Sequence, residues 1–136
     1  MTPEQIAKLV DDMYAMTSVG DFDGAEAYLA DDLIITEANG LPMEGVYRGK
    51  GALRALYGKV MGMMDVAGLE RVALTVGGDY AICVVRFQFV DPTIEGAELC
   101  ELFRFNAEGK VAEIKPYYFD PAPMIAAAKA KAATTA

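Results

Sequence analysis

Histidine is absent from the 136 residues. Without an imidazole, Ser-His-Asp and Cys-His catalysis, histidine metal sites and histidine acid–base chemistry are all excluded. Cysteine is scarce. Cys83 and Cys100 are the whole complement, too few for a zinc site. Each lies in a strand-like apolar run, where a free cysteine behaves as a small core residue. Positive charge is short as well: 12 Lys and Arg against 20 Asp and Glu leave a net charge of −8. Such a surface repels phosphate backbones, so nucleic acid is not an expected partner. No apolar run reaches the roughly 18 residues that cross a membrane. The opening MTPEQIAKLVDD lacks the basic start and apolar stretch of a secretory signal. The expected location is the cytoplasm, with no membrane partner. Any chemistry falls to carboxylates, Tyr, Lys or Arg.

Hydrophobic residues make up 54% of the chain and charged ones 24%, the balance of a globular domain. Its length suits a single domain, 1–136. Thr2-Pro3-Glu4-Gln5 opens a helix with a capping box. Ile6, Leu9, Val10, Met13, Tyr14 and Thr17 follow at helical spacing. Gly20 ends that helix, and Asp21 caps a short second one carrying Phe22, Ala25, Tyr28 and Leu29. Residues 33–38 read as a strand and 39–42 (NGLP) as a turn. A third helix is predicted over about 50–64, with Leu53, Leu56, Tyr57, Val60, Met61 and Met64 as its apolar stripe. Beyond Gly68 the runs 71–76, 80–90, 97–106 and 111–119 are rich in Val, Ile and aromatics, with turn residues between them. Short joints imply an antiparallel meander. Helices first and strands after imply an α+β fold. The Ala-rich segment 121–136 reads as a C-terminal helix or a frayed tail. Asp21-Phe22-Asp23-Gly24 lacks the later ligands and 12-residue spacing of a calcium loop, so no metal site is expected.

Two carboxylates fall in apolar rows. Residues two apart share a strand face, which groups Glu37 with Leu33 and Ile35, and Glu101 with Leu99, Phe103 and Phe105. A buried unpaired charge is costly, so such an acid tends to hold its proton. Either acid could instead reach water at a strand end, and the face bearing Cys100 and Leu102 is also apolar. Glu101, flanked by Leu99 and Phe103, is expected to stay protonated near neutral pH. Glu37, beside the Asn39-Gly40 turn, is expected to meet water and titrate lower.

The order of elements and three stretches carry a resemblance that covers about residues 3–120. The first stretch runs from Val19-Gly20-Asp21 through Ala30-Asp31-Asp32 to the acid of the first strand and on to Gly40 and Pro42. The second is Gly49 to Ala55-Leu56-Tyr57. The third is Glu101-Leu102-Phe103-Arg104-Phe105, then Glu108-Gly109-Lys110-Val111 and Tyr117-Tyr118. Together they resemble the ketosteroid-isomerase-like branch of the NTF2-like (SnoaL-like) superfamily, and the resemblance implies a cone-shaped α+β barrel, three N-terminal helices packed on a highly curved, mostly antiparallel sheet. It also implies a carboxylate base at Glu37. A second, protonated acid at Glu101 would hydrogen-bond the developing enolate. The family's tyrosine falls at Met13 by ungapped count, with Tyr14 one residue on, and Tyr57 matches an auxiliary aromatic position. Both acids are one methylene longer than the family's usual Asp.

The expected activity is cofactor-independent: carboxylate-mediated proton transfer on an apolar, cyclic carbonyl compound, by Glu37, Glu101 and Tyr14. Ile35, Tyr57, Met61, Phe87, Phe89, Phe103 and Tyr118 are expected to line the pocket. Other readings are a non-catalytic ligand-binding or dimerisation module, and cyclase, epoxide hydrolase or retro-aldol lyase chemistry on the same fold. Arg104 and Lys115 are out of phase with the inward rows and are given no role. The outer strand face, with Val84, Cys100, Leu102 and Tyr117, is apolar enough that a homodimer is expected.

Overall fold

A computed structural model describes residues 1–135. Helix α1 spans Pro3–Ser18 and α2 Phe22–Glu26. Strands β1 (Leu29–Glu37) and β2 (Gly45–Arg48) precede α3 (Ala52–Met63). Strands β3 (Val66–Gly77), β4 (Tyr80–Phe89), β5 (Ala97–Phe105) and β6 (Val111–Tyr118) follow, then α4 (Ala122–Thr135).

The helix starts form for the reasons the sequence offers. The Thr2 hydroxyl accepts from the Gln5 amide at 3.1 Å, and the Gln5 side chain accepts from the Thr2 amide at 2.8 Å. These satisfy amides that have no partner in the first turn. Ile6, Leu9, Val10 and Met13 are buried along one stripe of α1. Gly20, at φ +76°, turns the chain, and the Asp21 carboxylate accepts from the Gly24 amide to start α2.

The six strands form one curved, unclosed sheet in the order β2-β1-β6-β5-β4-β3. Strands β3 to β6 are an antiparallel meander. The remaining closure is parallel: β1 returns beside β6. Residues 45–48, to which the sequence pattern assigns no element, form β2 and pair with β1. Four residues are too few to show a period, and only pairing with β1 makes them a strand. Leu29 belongs to β1 rather than α2, and α3 begins at Ala52 because Gly49 and Gly51 occupy its approach.

The core lies between the helices and the inner sheet face. Leu29, Leu33, Ile35, Val85, Cys83 and Val111 supply much of it from the strands. The C-terminal segment is a docked helix. Met124 and Ala127 are buried, and the Lys131 ammonium donates to the Met61 carbonyl at 3.0 Å and pairs with Asp65 at 3.1 Å. A cation there also complements the negative end of the α3 dipole. Residue 136 lies outside the described residues. Met124→Ala should lower stability by about 2–4 kcal/mol, the usual loss for a buried Met or Leu side chain. Urea unfolding checks this, and a change near zero would mean that α4 does not belong to the core.

Candidate active site

The inner sheet face, α1 and α3 enclose an apolar cavity of about 730 Å³, counted out to its open side. Two carboxyls stand in its wall. Glu37 ends β1. The β1–β6 ladder stops at Ile35–Ile114, and Pro116, further along β6, has no amide with which to extend it. The loop after Glu37 does not open to water. Leu41 and Met43 are buried in it, and the Tyr47 hydroxyl donates to the Met43 carbonyl at 2.7 Å. Glu37 is therefore 4% exposed, and its Oε1 has no hydrogen-bond partner.

Glu101 sits on β5 between buried Leu99 and Phe103, with its remaining surface on the cavity wall. The Tyr14 hydroxyl donates to Glu101 Oε1 at 2.6 Å. Met13 is buried and also lines the cavity. Tyr14, about 100° further round α1, sits at the edge of the stripe, and its phenol reaches the carboxylate. Phe103 meets the Tyr14 ring edge to face, with centroids 6.0 Å apart.

Arg71 holds the other side of Tyr14. Its guanidinium carbon lies 4.6 Å from the Tyr14 ring centroid, and Nη2 donates to Asp11 Oδ1 at 2.8 Å. A bulge in β3 sets this position. Arg71 pairs with Val85 and Ala73 with Val84, so Val72 is the extra residue. Bulges re-aim side chains in this way.

Ile35, Tyr57, Met61, Phe87, Phe103 and Tyr118 line the cavity together with Glu37, Glu101 and Tyr14. The Tyr57 hydroxyl lies 3.5 Å from Thr17 Oγ1, and its ring packs on Phe22. Met61 forms part of the rim and is 46% exposed. Phe89 is a correction. It shares the inward face with Phe87, and the two rings stack, but two residues further along β4 carry it roughly 7 Å beyond the cavity. There it borders a separate pocket with Ile94, Ala127 and Lys131. Sequence reasoning missed Thr17, Met43 and Leu69 in the wall, and Arg71 behind it, while Pro116 lies in the wall on the inward row of Ile114 and Tyr118. A proline inside a strand pattern was the one available signal of a break in the ladder.

The electrostatics follow from burial. Glu37 is pushed up to about 8, first by desolvation and then by the nearby charge of Glu101. The expectation that water would keep Glu37 low is overturned by the packed loop that covers it. Glu101 is also raised by burial, against the opposing pull of the Tyr14 hydroxyl and the Arg71 charge. Burial, then Glu101, raises Tyr14. Tyr57 is pushed up to about 12 by burial, then by Glu101. Burial, then Glu37, raises Tyr118. The phenols are thus fixed as hydrogen-bond donors. Burial biases both carboxyls toward the protonated form, and charge on Glu101 opposes charge on Glu37.

Stability carries the same signature. Between the unfolded glutamate value of about 4.3 and about 8, the folded chain keeps a proton on Glu37 that the unfolded chain has lost. The contribution is fully present below the lower value and is lost as pH rises to the upper one. The slope from this group is about −1.4 kcal/mol per pH unit across that window. Glu37→Gln should flatten the slope and be the more stable protein at the alkaline end. Denaturation midpoints measured across the window test this, and parallel curves for the two proteins would refute it.

The SnoaL-like domain model matches residues 10–114. No curated protein sequence is similar enough to count as a relative. Solved structures share the fold. An NTF2-like protein of Burkholderia xenovorans LB400 has a TM-score of 0.78 at 22% identity, over 94% of this chain and 98% of that one. An NTF2-like protein of Burkholderia thailandensis E264 gives 0.76 at 26%, over 95% and 98%. A Mesorhizobium loti protein described as a SnoaL-like polyketide cyclase gives 0.66 at 30%, over 87% and 100%. With these folds matched and most of its length within the domain model, the chain belongs to the SnoaL-like family of the NTF2-like superfamily.

Proposed function

We propose that the chain is a cofactor-independent enzyme that moves a proton next to the carbonyl of an apolar, cyclic compound, as an isomerase or lyase. The observation that carries this reading is the Tyr14–Glu101 hydrogen bond on the wall of the same apolar cavity as the unpartnered Glu37 carboxyl. In the working form Glu37 carries the negative charge and Glu101 the proton, the reverse of the resting order in which Glu37 holds it. A Glu37 oxygen takes the proton from the carbon beside the carbonyl, and the C–H electrons move onto the carbonyl oxygen. Glu101 and Tyr14 supply hydrogen bonds to that oxygen as its charge develops. Return of the proton to another carbon completes an isomerisation. Loss of a leaving group from the enolate completes an elimination.

The wall suits a neutral hydrocarbon frame. Ile35, Leu99, Phe87, Phe103 and Tyr118 offer contact area with few competing polar groups. Met61 near the end of α3 is a deformable part of the rim. No described helix is long and apolar enough to cross a membrane. The reading places the enzyme in the cytoplasm.

Exchange of α-protons for deuterium in a panel of cyclic ketones and enones, followed by NMR, tests the chemistry. The native chain should accelerate exchange of at least one compound. Glu37→Gln should lose on the order of 10²-fold or more, the usual worth of a general base. Tyr14→Phe should lose on the order of 10²-fold by removing an oxyanion donor. Loss of the last carboxyl proton at about 8 leaves Glu101 unable to donate, so the native rate should fall as pH rises through that value. Full exchange activity in Glu37→Gln would remove Glu37 from the mechanism.

The same reading includes a homodimer through the outer sheet face. Tyr117 and Tyr80 are 54% and 44% exposed there, beside the half-buried Val84, Cys100 and Leu102. A contiguous apolar face of this kind favours association. Sedimentation at micromolar concentration should give twice the 14.6 kDa chain mass. A Leu102→Glu variant should sediment as the monomer. A native chain that sediments only at the monomer mass would overturn the dimer.

A further inference from the structure

We propose that the cavity also binds apolar monoamines, with the protonated nitrogen seated against Glu37 and the surrounding aromatic rings. This rests on the cavity reading above and not on its proton-transfer chemistry. Three observations carry it. Glu37 Oε1 is buried and has no hydrogen-bond partner, so it offers a free acceptor to whatever fills the space. The wall includes two carboxyls and no Lys or Arg among the described residues. Tyr57, Phe87, Phe103 and Tyr118 contribute rings, and ring faces attract cations most strongly where water is excluded. The cation nearest the acids, Arg71, stands behind Tyr14 and is engaged by Asp11. It leaves the Glu37 side of the cavity without a positive charge.

The charge balance favours the same ligand. In the empty cavity the two carboxyls cannot both ionise easily, since each charge repels the other and neither is well solvated. The titratable groups that share the cavity with Glu37 are Glu101 from β5, Tyr14 from α1, Tyr57 from α3 and Tyr118 from β6, with Arg71 of β3 beyond Tyr14. Of these, burial keeps the phenols protonated, and the acids are the groups that can give up a proton to a bound cation. An ammonium group relieves both penalties at once. It pairs with Glu37, and the Glu37 proton leaves for solvent. An alcohol of the same shape gains the apolar contacts but displaces no proton. A carboxylate of the same shape is repelled. Ligand choice is therefore set by the charge of one group on a common hydrocarbon frame.

The chain has no tryptophan, so naphthalene fluorescence, excited at the red edge of its band beyond tyrosine absorption, reports binding. The probes are 1-naphthylmethylamine, 1-naphthylmethanol and the anion of 1-naphthaleneacetic acid. Near neutral pH the amine should bind at least about tenfold more tightly than the alcohol, and the carboxylate most weakly. Titration calorimetry in phosphate and in Tris, which differ in ionisation heat, should show release of about one proton per amine bound. In Glu37→Gln, shown to be folded by its thermal transition, the amine should fall to about the alcohol's affinity and release no proton. An amine no tighter than the alcohol, or bound without proton release by the native chain, overturns the amine proposal while the cavity reading stands. Failure of all three probes to bind overturns both. The proton-release measurement needs only the native chain, so the test survives a variant that does not fold.

Discussion

A carboxyl group in an apolar wall must find a donor, a counter-ion or a proton, and two such groups on the same wall constrain each other. Much of the site can be understood as the way this chain meets that constraint. Glu101 takes the Tyr14 hydroxyl. Tyr14 is in turn held from behind by Arg71, which is anchored on Asp11. Glu37 receives no such help and keeps its proton instead. The asymmetry between two chemically identical side chains comes from their neighbours. One lies mid-strand, across from a helix that supplies a phenol. The other lies at a strand end under a packed loop that supplies only carbon.

The strands and helices were readable where they are long and periodic. The stripe of α1, its capping box and the meander of β3 to β6 follow from local pattern. The wall was partly readable too, since Ile35, Glu37, Glu101 and Phe103 share their inward parity with buried neighbours. What escaped depends on partners distant in sequence. Strand β2 exists through its pairing with β1. The protection of Glu37 depends on Met43 and Tyr47 folding back over it. Arg71 could not be read from alternation, because the bulge at Val72 interrupts the alternation. Parity places Phe89 on the inward face but gives no depth along the cavity.

Family membership narrows the fold far more than the chemistry. The structural neighbours at 22% and 26% identity share nearly the full length of the chain, so this architecture tolerates extensive change of sequence. A tapered space between helices and a curved sheet is a general container, and what happens inside depends on a few side chains. In this chain those are two glutamates and the aromatic residues around them. Their chemistry is set by desolvation, hydrogen bonding and mutual repulsion, and by no feature of the fold alone.

The extra residue in β3 has a consequence at the periphery of the molecule. β3 is an edge of the sheet and, at 12 residues, the longest strand. A flat edge of that length is a template on which another chain can add a strand. Val72 breaks its regular spacing, and Glu70 and Arg71 place charge beside the break. An incoming strand could not match both halves of this edge in one register. The irregularity that aims Arg71 at Tyr14 thus also discourages edge-to-edge polymerisation, and a deletion that smoothed the strand would sacrifice solubility along with the site.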